Sequence, residues 1–208
     1  MKLFGNPRST CTRKVLCTLA EKGVKAEFHL VDLGKGEHKQ PAHMARQPFG
    51  QVPAFEDSDG FKLYESRAIC RYIDATQPGP KLTPADPKGQ ALMEQWISVE
   101  TSNFTPYAMK IIYQKLFNPM RGLPLDQKAV DEGKAGLDKA LPIMDKQLAS
   151  TAFLVGDTFT LADVMFMPYI QYLFDCESAE QVIRSERVHA WWKKISDRPS
   201  WKTATSNA

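Results

Sequence analysis

Residues 48–69 have the sequence PFGQVPAFEDSDGFKLYESRAI, in which turn residues and apolar residues follow one another in an informative order. Two short apolar runs, residues 53–56 and 61–64, flank an Asp59-Gly60 turn, which predicts a β-hairpin. Ser66 then precedes apolar residues at helical spacing, so we expect it to be the N-cap of a helix. The stretch therefore predicts two antiparallel strands followed directly by a helix.

The residues before this stretch predict a strand, a helix and a second strand. Leu3-Phe4 is a short apolar run, residues 11–19 carry apolar side chains at helical spacing, and residues 26–30 alternate between apolar and polar. A strand, a helix and a strand in this order imply a parallel pair with a right-handed crossover. Together with the hairpin, residues 1–77 should therefore form a small α/β domain with a mixed sheet.

The composition changes after residue 77. Four prolines within residues 78–87 disfavour both helix and strand, so this segment is expected to be a linker. No alternating pattern returns after it. Apolar positions at helical spacing instead predict an all-α domain over residues 88–208, with helices at about residues 92–99 and 125–148, one starting near Thr160, and a last one over residues 188–195.

The bulk composition excludes several classes of protein. A net charge of +3 is too weak to indicate nucleic-acid binding, and no apolar run approaches the roughly 20 residues that span a membrane. The four cysteines form no CxxC pair and no zinc-like cluster, so we expect no metal site. Free thiols in a chain of this size are typical of a reducing compartment, which predicts a cytoplasmic protein.

Several motifs resemble those of cytosolic glutathione transferases, and among these the phi class of a bacterial type. They are GNPRS at residues 5–9, TRKVL at 12–16, GEHK at 36–39, QPFGQVPAFED at 47–57 and LYESRAI at 63–69. The resemblance implies a thioredoxin-like domain (residues 1–77) that binds glutathione, a linker (78–87), and an all-helical domain (88–208) for a second, apolar substrate. It also implies an enzyme of detoxification that uses glutathione as co-substrate and forms a homodimer.

The resemblance assigns the stabilisation of the glutathione thiolate to Ser9. This serine resembles the one whose hydroxyl donates a hydrogen bond to the glutathione thiolate, although by itself it could be a simple N-cap. Val52-Pro53 resembles the cis-proline element of the family, in which the backbone of Val52 pairs with the cysteinyl unit of glutathione. Gln51 is expected beside it in the site.

Two further pairs of residues match the motifs that hold the ends of glutathione. Glu65 and Ser66 resemble the pair at the γ-glutamyl end, where a helix N-terminus suits a carboxylate and Glu65 accepts from the ammonium group. His38 and Lys39 resemble the residues that meet the glycine carboxylate. Capping alone would also explain Ser66, and a solvated loop would also explain His38 and Lys39.

The second substrate is assigned to apolar residues of the helical domain. Aromatic and methionine side chains crowd two helical segments, and most of them are expected in the core. Some should line a pocket that faces the thiolate. Our choices for that lining are Phe104, Tyr107 and Met165.

Two alternatives to conjugation stay open at the level of sequence. Cys11 lies two residues after Ser9, and a thiol at a helix N-terminus would support a glutathione-dependent oxidoreductase or peroxidase. Its helical spacing with Val15 and Leu19 favours instead a buried, inert thiol. The other alternative is a non-catalytic ligand-binding protein on the same fold.

Overall fold

The computed structural model describes residues 1–206, and these residues form two compact units. The first unit contains Met1–Leu82 together with the described residues from Asp197, and the second contains Thr83–Ser196. The sequence predicted instead that every residue after 87 belongs to the helical domain. Residues 197–206 depart from that organisation, because their helix packs within the first unit.

Four strands and ten α-helices are described within residues 1–206. The strands are β1 (Lys2–Gly5), β2 (Glu27–Leu30), β3 (Ala54–Glu56) and β4 (Lys62–Tyr64). The helices are α1 (Thr10–Glu21), α2 (Pro41–Met44), α3 (Ser66–Thr76), α4 (Pro87–Val99), α5 (Thr105–Ile112), α6 (Gln127–Gln147), α7 (Leu161–Asp175), α8 (Glu180–Arg184), α9 (Glu186–Ser196) and α10 (Pro199–Thr205).

The first unit is built on a mixed sheet with the strand order β2-β1-β3-β4. Strand β1 is parallel to β2 and antiparallel to β3, and β3 is antiparallel to β4. The parallel pair and the hairpin are therefore both confirmed. Helices α1 and α3 pack together, and the side chains of Leu3, Val15, Phe55, Ile69 and Ile73 form a core that is at most 1% exposed.

A buried ion pair fixes the residues that follow α3. The Lys22 ammonium, at the end of α1, lies 3.1 Å from a carboxylate oxygen of Asp74 and donates to the Pro80 carbonyl at 2.8 Å. The same Asp74 oxygen accepts from the Leu82 backbone N–H at 2.9 Å. Because Lys22 and Asp74 are almost completely buried, losing either partner would leave an uncompensated charge. Residues 79–82 are thereby attached to the first unit.

Helix α10 completes the first unit by packing on α1. Arg198 donates to both carboxylate oxygens of Glu21, at 2.6 and 2.8 Å, and the Ser200 hydroxyl donates to the same carboxylate. Burial raises the pKa of Glu21, but the bonds from Arg198 and Ser200 outweigh it and lower the pKa. The sequence pattern placed the last helix at residues 188–195 and missed α10, because a proline usually ends a helix, whereas Pro199 is the first residue of this one.

The second unit is helical, and among its residues 83–196 no strand is described. The predicted helices correspond to α4, α6, α7 and α9, and α5 lies in the segment of aromatic residues that was predicted to be helical, while α8 was not predicted. Helix α7 is the core of this unit, since twelve of its fifteen residues are buried. Leu92 and Ile143 belong to the apolar spacing that predicts two of these helices, but they are exposed by 44% and 63%.

Helix α7 begins with a capping box formed by Thr160 and Asp163. The Thr160 backbone N–H donates to Oδ2 of Asp163 at 2.9 Å, and the Thr160 hydroxyl donates to the same oxygen at 3.1 Å. The other oxygen, Oδ1, accepts from Leu154 N–H at 3.1 Å and from Trp191 Nε1–H at 2.9 Å. Burial raises the pKa of Asp163, and its four donors act in the opposite direction. Asp163 is thus fully occupied by structural bonds.

Candidate active site

Four loops leave the sheet of the first unit at one edge. Phe4 pairs with Ala54, Ala54 pairs with Tyr64, and Gly5 pairs with Leu30, so β1, β2 and β4 end where β3 begins. The sequence-predicted residues of this unit all lie in the loops or first helical residues at that edge. They are Ser9, His38, Lys39, Gln51, Val52, Pro53, Glu65 and Ser66.

Ser9 ends the loop after β1 and caps α1. Its backbone N–H donates to the Asn6 carbonyl at 2.9 Å, and its Oγ accepts from the Thr12 N–H at 3.3 Å. The side chain is partly exposed. Because α1 has twelve residues and no acid in its first turn, its N-terminus presents an uncompensated positive dipole end beside the Ser9 hydroxyl.

The Val52-Pro53 peptide bond is cis, as the resemblance implied. The preceding residue, Gln51, is held at both ends of its backbone, since its N–H donates to Oε1 of Gln47 at 3.1 Å and its carbonyl accepts from Nε2 of His43 at 2.6 Å. Within residues 1–206 the backbone N–H and C=O of Val52 have no hydrogen-bond partner. Val52 therefore offers one free donor and one free acceptor at the edge.

Ser66 is the first residue of α3, and its hydroxyl is orphaned. The residue is 3% exposed, yet its Oγ has no hydrogen-bond partner in the described part of the chain. The predicted N-cap role of Ser66 is wrong, because Glu65 holds that position with φ 70° and ψ 109° and no side chain caps the helix. A left-handed φ at a non-glycine residue is strained and typical of functional sites. A buried, unpaired hydroxyl costs about 1–3 kcal/mol unless a ligand supplies its partner.

His38 and Lys39 lie in a 3₁₀ turn over Glu37–Lys39. Nδ1 of His38 is buried and without a partner among residues 1–206, and burial lowers the pKa of this imidazole, with smaller contributions from Lys39 and His43. The Lys39 ammonium donates to the Phe49 carbonyl at 3.2 Å. This bond brings Lys39 against the loop that carries Gln51.

The family of the chain follows from two sequence models. The model of the glutathione S-transferase N-terminal domain matches residues 1–75, and that of the glutathione S-transferase C-terminal domain matches residues 104–199. The chain belongs to the glutathione S-transferase family. Its thioredoxin-like sheet with α1 and α3 and its helical second unit have the predicted fold of that family.

Relatives of the chain are plant transferases of the F type. It is 39% identical to glutathione S-transferase F12 of Arabidopsis thaliana, over 97% of this chain and 95% of the relative. The crystal structure of glutathione transferase F7 from Populus trichocarpa is 40% identical, with a TM-score of 0.94 over 99% and 97% of the two chains. Glutathione S-transferase I from maize, in complex with an atrazine glutathione conjugate, is 34% identical, with a TM-score of 0.91 over 99% and 96%. These plant relatives support the phi class, while the bacterial type stays a prediction.

In the helical unit of this family member, the three residues chosen for a second-substrate pocket differ in burial. Phe104 and Met165 are 0% exposed, and the Phe104 ring packs edge-on against Phe166 at 5.1 Å between centroids. Their assignment to a pocket wall is therefore replaced by a core position. Tyr107 is half-buried against Gly136, where an added Cβ would lie 2.0 Å from the tyrosine ring.

The sequence did not identify the residues that support the site from behind. His43 and Gln47, which hold Gln51, lie in a polar segment whose composition indicates mostly loop with a short helix, and only their burial distinguishes them. Cys11 was expected to be buried, but it is partly exposed in the first turn of α1.

Residues 1–206 contain no group of three or more His, Cys, Asp or Glu suited to a metal. None of the helices they form has the length and apolar character that crossing a membrane requires.

Proposed function

We propose that this chain is a glutathione transferase that holds glutathione at the sheet edge and directs its thiolate at an apolar electrophile. The observation that carries the proposal is the convergence of four loops at that edge, because each of them bears residues of the predicted site. Membership of the family and the activity in the names of its relatives support the same function.

The first task of such an enzyme is to ionise a thiol. An unperturbed thiol has a pKa of about 8.5, so only about 3% is thiolate at pH 7. Lowering that pKa by about two units requires about 2.7 kcal/mol of preference for the charged form. A hydrogen bond from Ser9 to the charged sulfur contributes about 1.5–3 kcal/mol, and the α1 N-terminus adds about 0.3–1 kcal/mol. Ser9 and α1 together contribute about 1.8–4 kcal/mol, a range that includes the free energy required.

The other residues hold the rest of the tripeptide. The free backbone N–H and C=O of Val52 pair with the cysteinyl unit, with Gln51 beside it. The Ser66 hydroxyl and the N-terminus of α3 bind the γ-glutamyl carboxylate, while Glu65 accepts from the ammonium group. His38 and Lys39 bind the glycine carboxylate. The two orphaned buried atoms, Ser66 Oγ and His38 Nδ1, fit a ligand that brings polar partners to them.

We infer that the electrophile is an aromatic molecule with a displaceable chloride. The maize relative in complex with an atrazine glutathione conjugate supports this class. In the reaction the thiolate sulfur forms a bond to the ring carbon, and chloride leaves with the electron pair of the C–Cl bond. Tyr107, Tyr113 and Phe117 supply partly exposed aromatic surface in the second unit, with the last two rings 5.5 Å apart.

We also propose that the protein is a cytoplasmic homodimer. Phe49 is 64% exposed and packs edge-on against the 37% exposed Tyr64, which leaves aromatic surface open on the first unit. Light scattering at micromolar concentration should give the mass of two chains, and Phe49→Ser should lower it, whereas Leu123→Ser, at another exposed apolar residue, should not. A single-chain mass for the parent protein would contradict the dimer.

The proposed location in the cytoplasm is supported by the four free thiols, which suit a reducing compartment.

Ser9→Ala tests the proposed function. With glutathione and dinitrochlorobenzene at pH 7 we expect about 10- to 150-fold slower conjugation, and ultraviolet absorbance of the thiolate should give a bound-thiol pKa about one to two units higher. The matched control is Asp86→Ala, which removes the N-cap bond to Gly89 N–H in α4 and leaves the sheet edge intact. Near-full activity of Ser9→Ala would contradict the assignment of Ser9 as the donor to the thiolate. If the parent protein conjugates no electrophile, a ligand-binding protein is favoured instead.

A further inference from the structure

Hydrogen bonds join the loop between β1 and α1 to the first turn of the helix, and Thr12 makes two of them. We propose that Thr12 is a positioning residue that aims the hydroxyl hydrogen of Ser9 at the sulfur of glutathione. This inference rests on the proposed function, because it concerns Ser9 as the donor to the thiolate. Nothing in the sequence motifs singled Thr12 out for such a role.

Thr12 bonds to both ends of the loop. Its backbone N–H donates to Oγ of Ser9 at 3.3 Å, and its own Oγ1 accepts from the backbone N–H of Asn6 at 3.3 Å. The neighbouring Arg13 adds a bond from Nε to the Pro7 carbonyl at 2.9 Å. The first turn of α1 thus fixes the start, the middle and the end of the loop.

The bond from Thr12 determines what the Ser9 hydroxyl can still do. A hydroxyl has one hydrogen to donate and two lone pairs with which to accept. Because Oγ of Ser9 accepts from Thr12 N–H, that lone pair is directed at the helix and the hydrogen points elsewhere. Within residues 1–206 no protein atom accepts this hydrogen, so it remains available for an anionic sulfur outside the helix.

Packing holds Thr12 in the one orientation that makes both bonds. The side chain is 0% exposed, and a Cβ added at Gly5 would lie 2.7 Å from its Cγ2 and 2.9 Å from its Oγ1. A β-branched side chain has little rotational freedom about χ1, and the contact with Gly5 removes what is left. Thr12 therefore fixes the position of the Ser9 hydroxyl relative to the end of β1.

Three variants separate positioning from stability. Thr12→Val keeps the shape but removes the acceptor for Asn6 N–H, and Thr12→Ser keeps the hydroxyl but removes the methyl group. The matched control is Thr18→Val in the same helix, where the threonine is also 0% exposed but its hydroxyl donates to the Lys14 carbonyl at 2.9 Å, away from the loop. Each is assayed with glutathione and dinitrochlorobenzene from pH 5 to 9.

For Thr12→Val we expect conjugation at pH 6 to fall by about 3- to 10-fold, with the pH profile of kcat/KM moved up by about half to one unit. KM for glutathione should hardly change, because the two ends of the tripeptide bind elsewhere. Thr12→Ser should restore most of the profile, and Thr18→Val should lower the melting temperature without moving the profile. An unmoved profile in folded Thr12→Val overturns the inference.

If Thr12→Val does not fold, Gly5→Ala replaces it. An added Cβ must displace the Thr12 side chain while both hydroxyls are retained, so the same upward shift of the profile is expected. A normal profile in folded Gly5→Ala overturns the inference equally.

A double-variant cycle distinguishes this inference from the proposed function. If Thr12 acts through Ser9, Thr12→Val should have no further effect on conjugation in the Ser9→Ala background. An effect of Ser9→Ala with none of Thr12→Val overturns only the inference. A wild-type thiol pKa in Ser9→Ala removes the proposed role of Ser9 itself, and the inference falls with it.

Discussion

The N-termini of α1 and α7 start from the same arrangement and use it differently. Each has a hydroxyl residue as N-cap and a polar residue three positions later, Ser9 with Thr12 in α1 and Thr160 with Asp163 in α7. In α7 the Asp163 carboxylate accepts both the N–H and the O–H of Thr160. In α1, Thr12 offers only its backbone N–H, so the hydrogen of Ser9 is not consumed.

This difference separates a cap whose hydroxyl hydrogen is bonded within the protein from one whose hydroxyl hydrogen is not. Thr160 and Asp163 are 2% and 0% exposed and satisfied by protein groups, so their bonds contribute only to stability. Ser9 is partly exposed and keeps an unused donor beside a helix dipole. The residue three positions after the N-cap thus determines what the N-cap hydroxyl can bind. An acid at that position accepts the hydroxyl hydrogen, whereas threonine leaves the hydrogen available to a ligand.

The largest expected effect comes from removing the closed cap. Asp163→Ala leaves four buried donors without an acceptor, so we expect it to lower the free energy of unfolding by on the order of 4 kcal/mol. Urea denaturation measures this loss. The exposed N-cap variant Asp126→Ala, which loses one bond to Ala129 N–H, should cost only about 1 kcal/mol. Equal losses in the two variants would refute the structural role of Asp163.

The next prediction transplants the acid of α7 into α1. In Thr12→Asp the new carboxylate would accept the Ser9 hydroxyl hydrogen and would repel the thiolate, so conjugation at pH 7 should fall by about 10- to 150-fold. Thr12→Asn supplies an acceptor without the charge, and a smaller loss is expected. A folded Thr12→Asp with parental kinetics would show that an open hydroxyl at Ser9 is not required.

A third hydroxyl, at the start of α3, should affect binding rather than ionisation. Ser66→Ala should weaken glutathione binding by about 1–3 kcal/mol, because the ligand carboxylate loses its partner. Since the Oγ is buried and unpaired without ligand, the apo protein should lose no stability. Isothermal calorimetry tests the first point and urea denaturation the second, with the exposed turn residue Ser58→Ala as control. Unchanged affinity would remove Ser66 from the site.

The smallest effect is expected at Cys11, next to the open cap. Cys11→Ala should leave conjugation nearly unchanged and cost about 1 kcal/mol of stability or less. Cys176→Ala, at another partly exposed thiol, is the matched control. If Cys11 is instead the working group, its loss would abolish disulfide reduction, and mass spectrometry of the parent protein would find glutathione attached there.

Local patterns sufficed for the sheet and for the loops at its edge. The apolar run at Leu3, the alternation over β2 and the Asp59-Gly60 turn each act over a few residues, and they predict the parallel pair and the hairpin. The pairing of β1 with β3, which sets the strand order, was not predicted. The family resemblance added the cis bond before Pro53, which no periodicity predicts.

What the sequence missed depends on contacts between distant residues. Phe104 and Met165 could not be distinguished from pocket residues, because an apolar side chain gives the same pattern on a pocket wall and in a core. Ser66 was displaced from the cap by the left-handed backbone of Glu65, a conformation that a glutamate does not signal. Helix α10 is held by Glu21, which lies far away in the chain.

The docking of α10 on α1 has a consequence for the order in which the protein is made. The whole second unit is translated after Leu82 and before Asp197. The first unit therefore cannot be completed until the residues that follow the second unit have been made. Until then Glu21 lacks both Arg198 and Ser200. A chain released after residue 196 should therefore contain every residue of the helical unit, while its sheet unit exposes the face of α1 on which α10 packs.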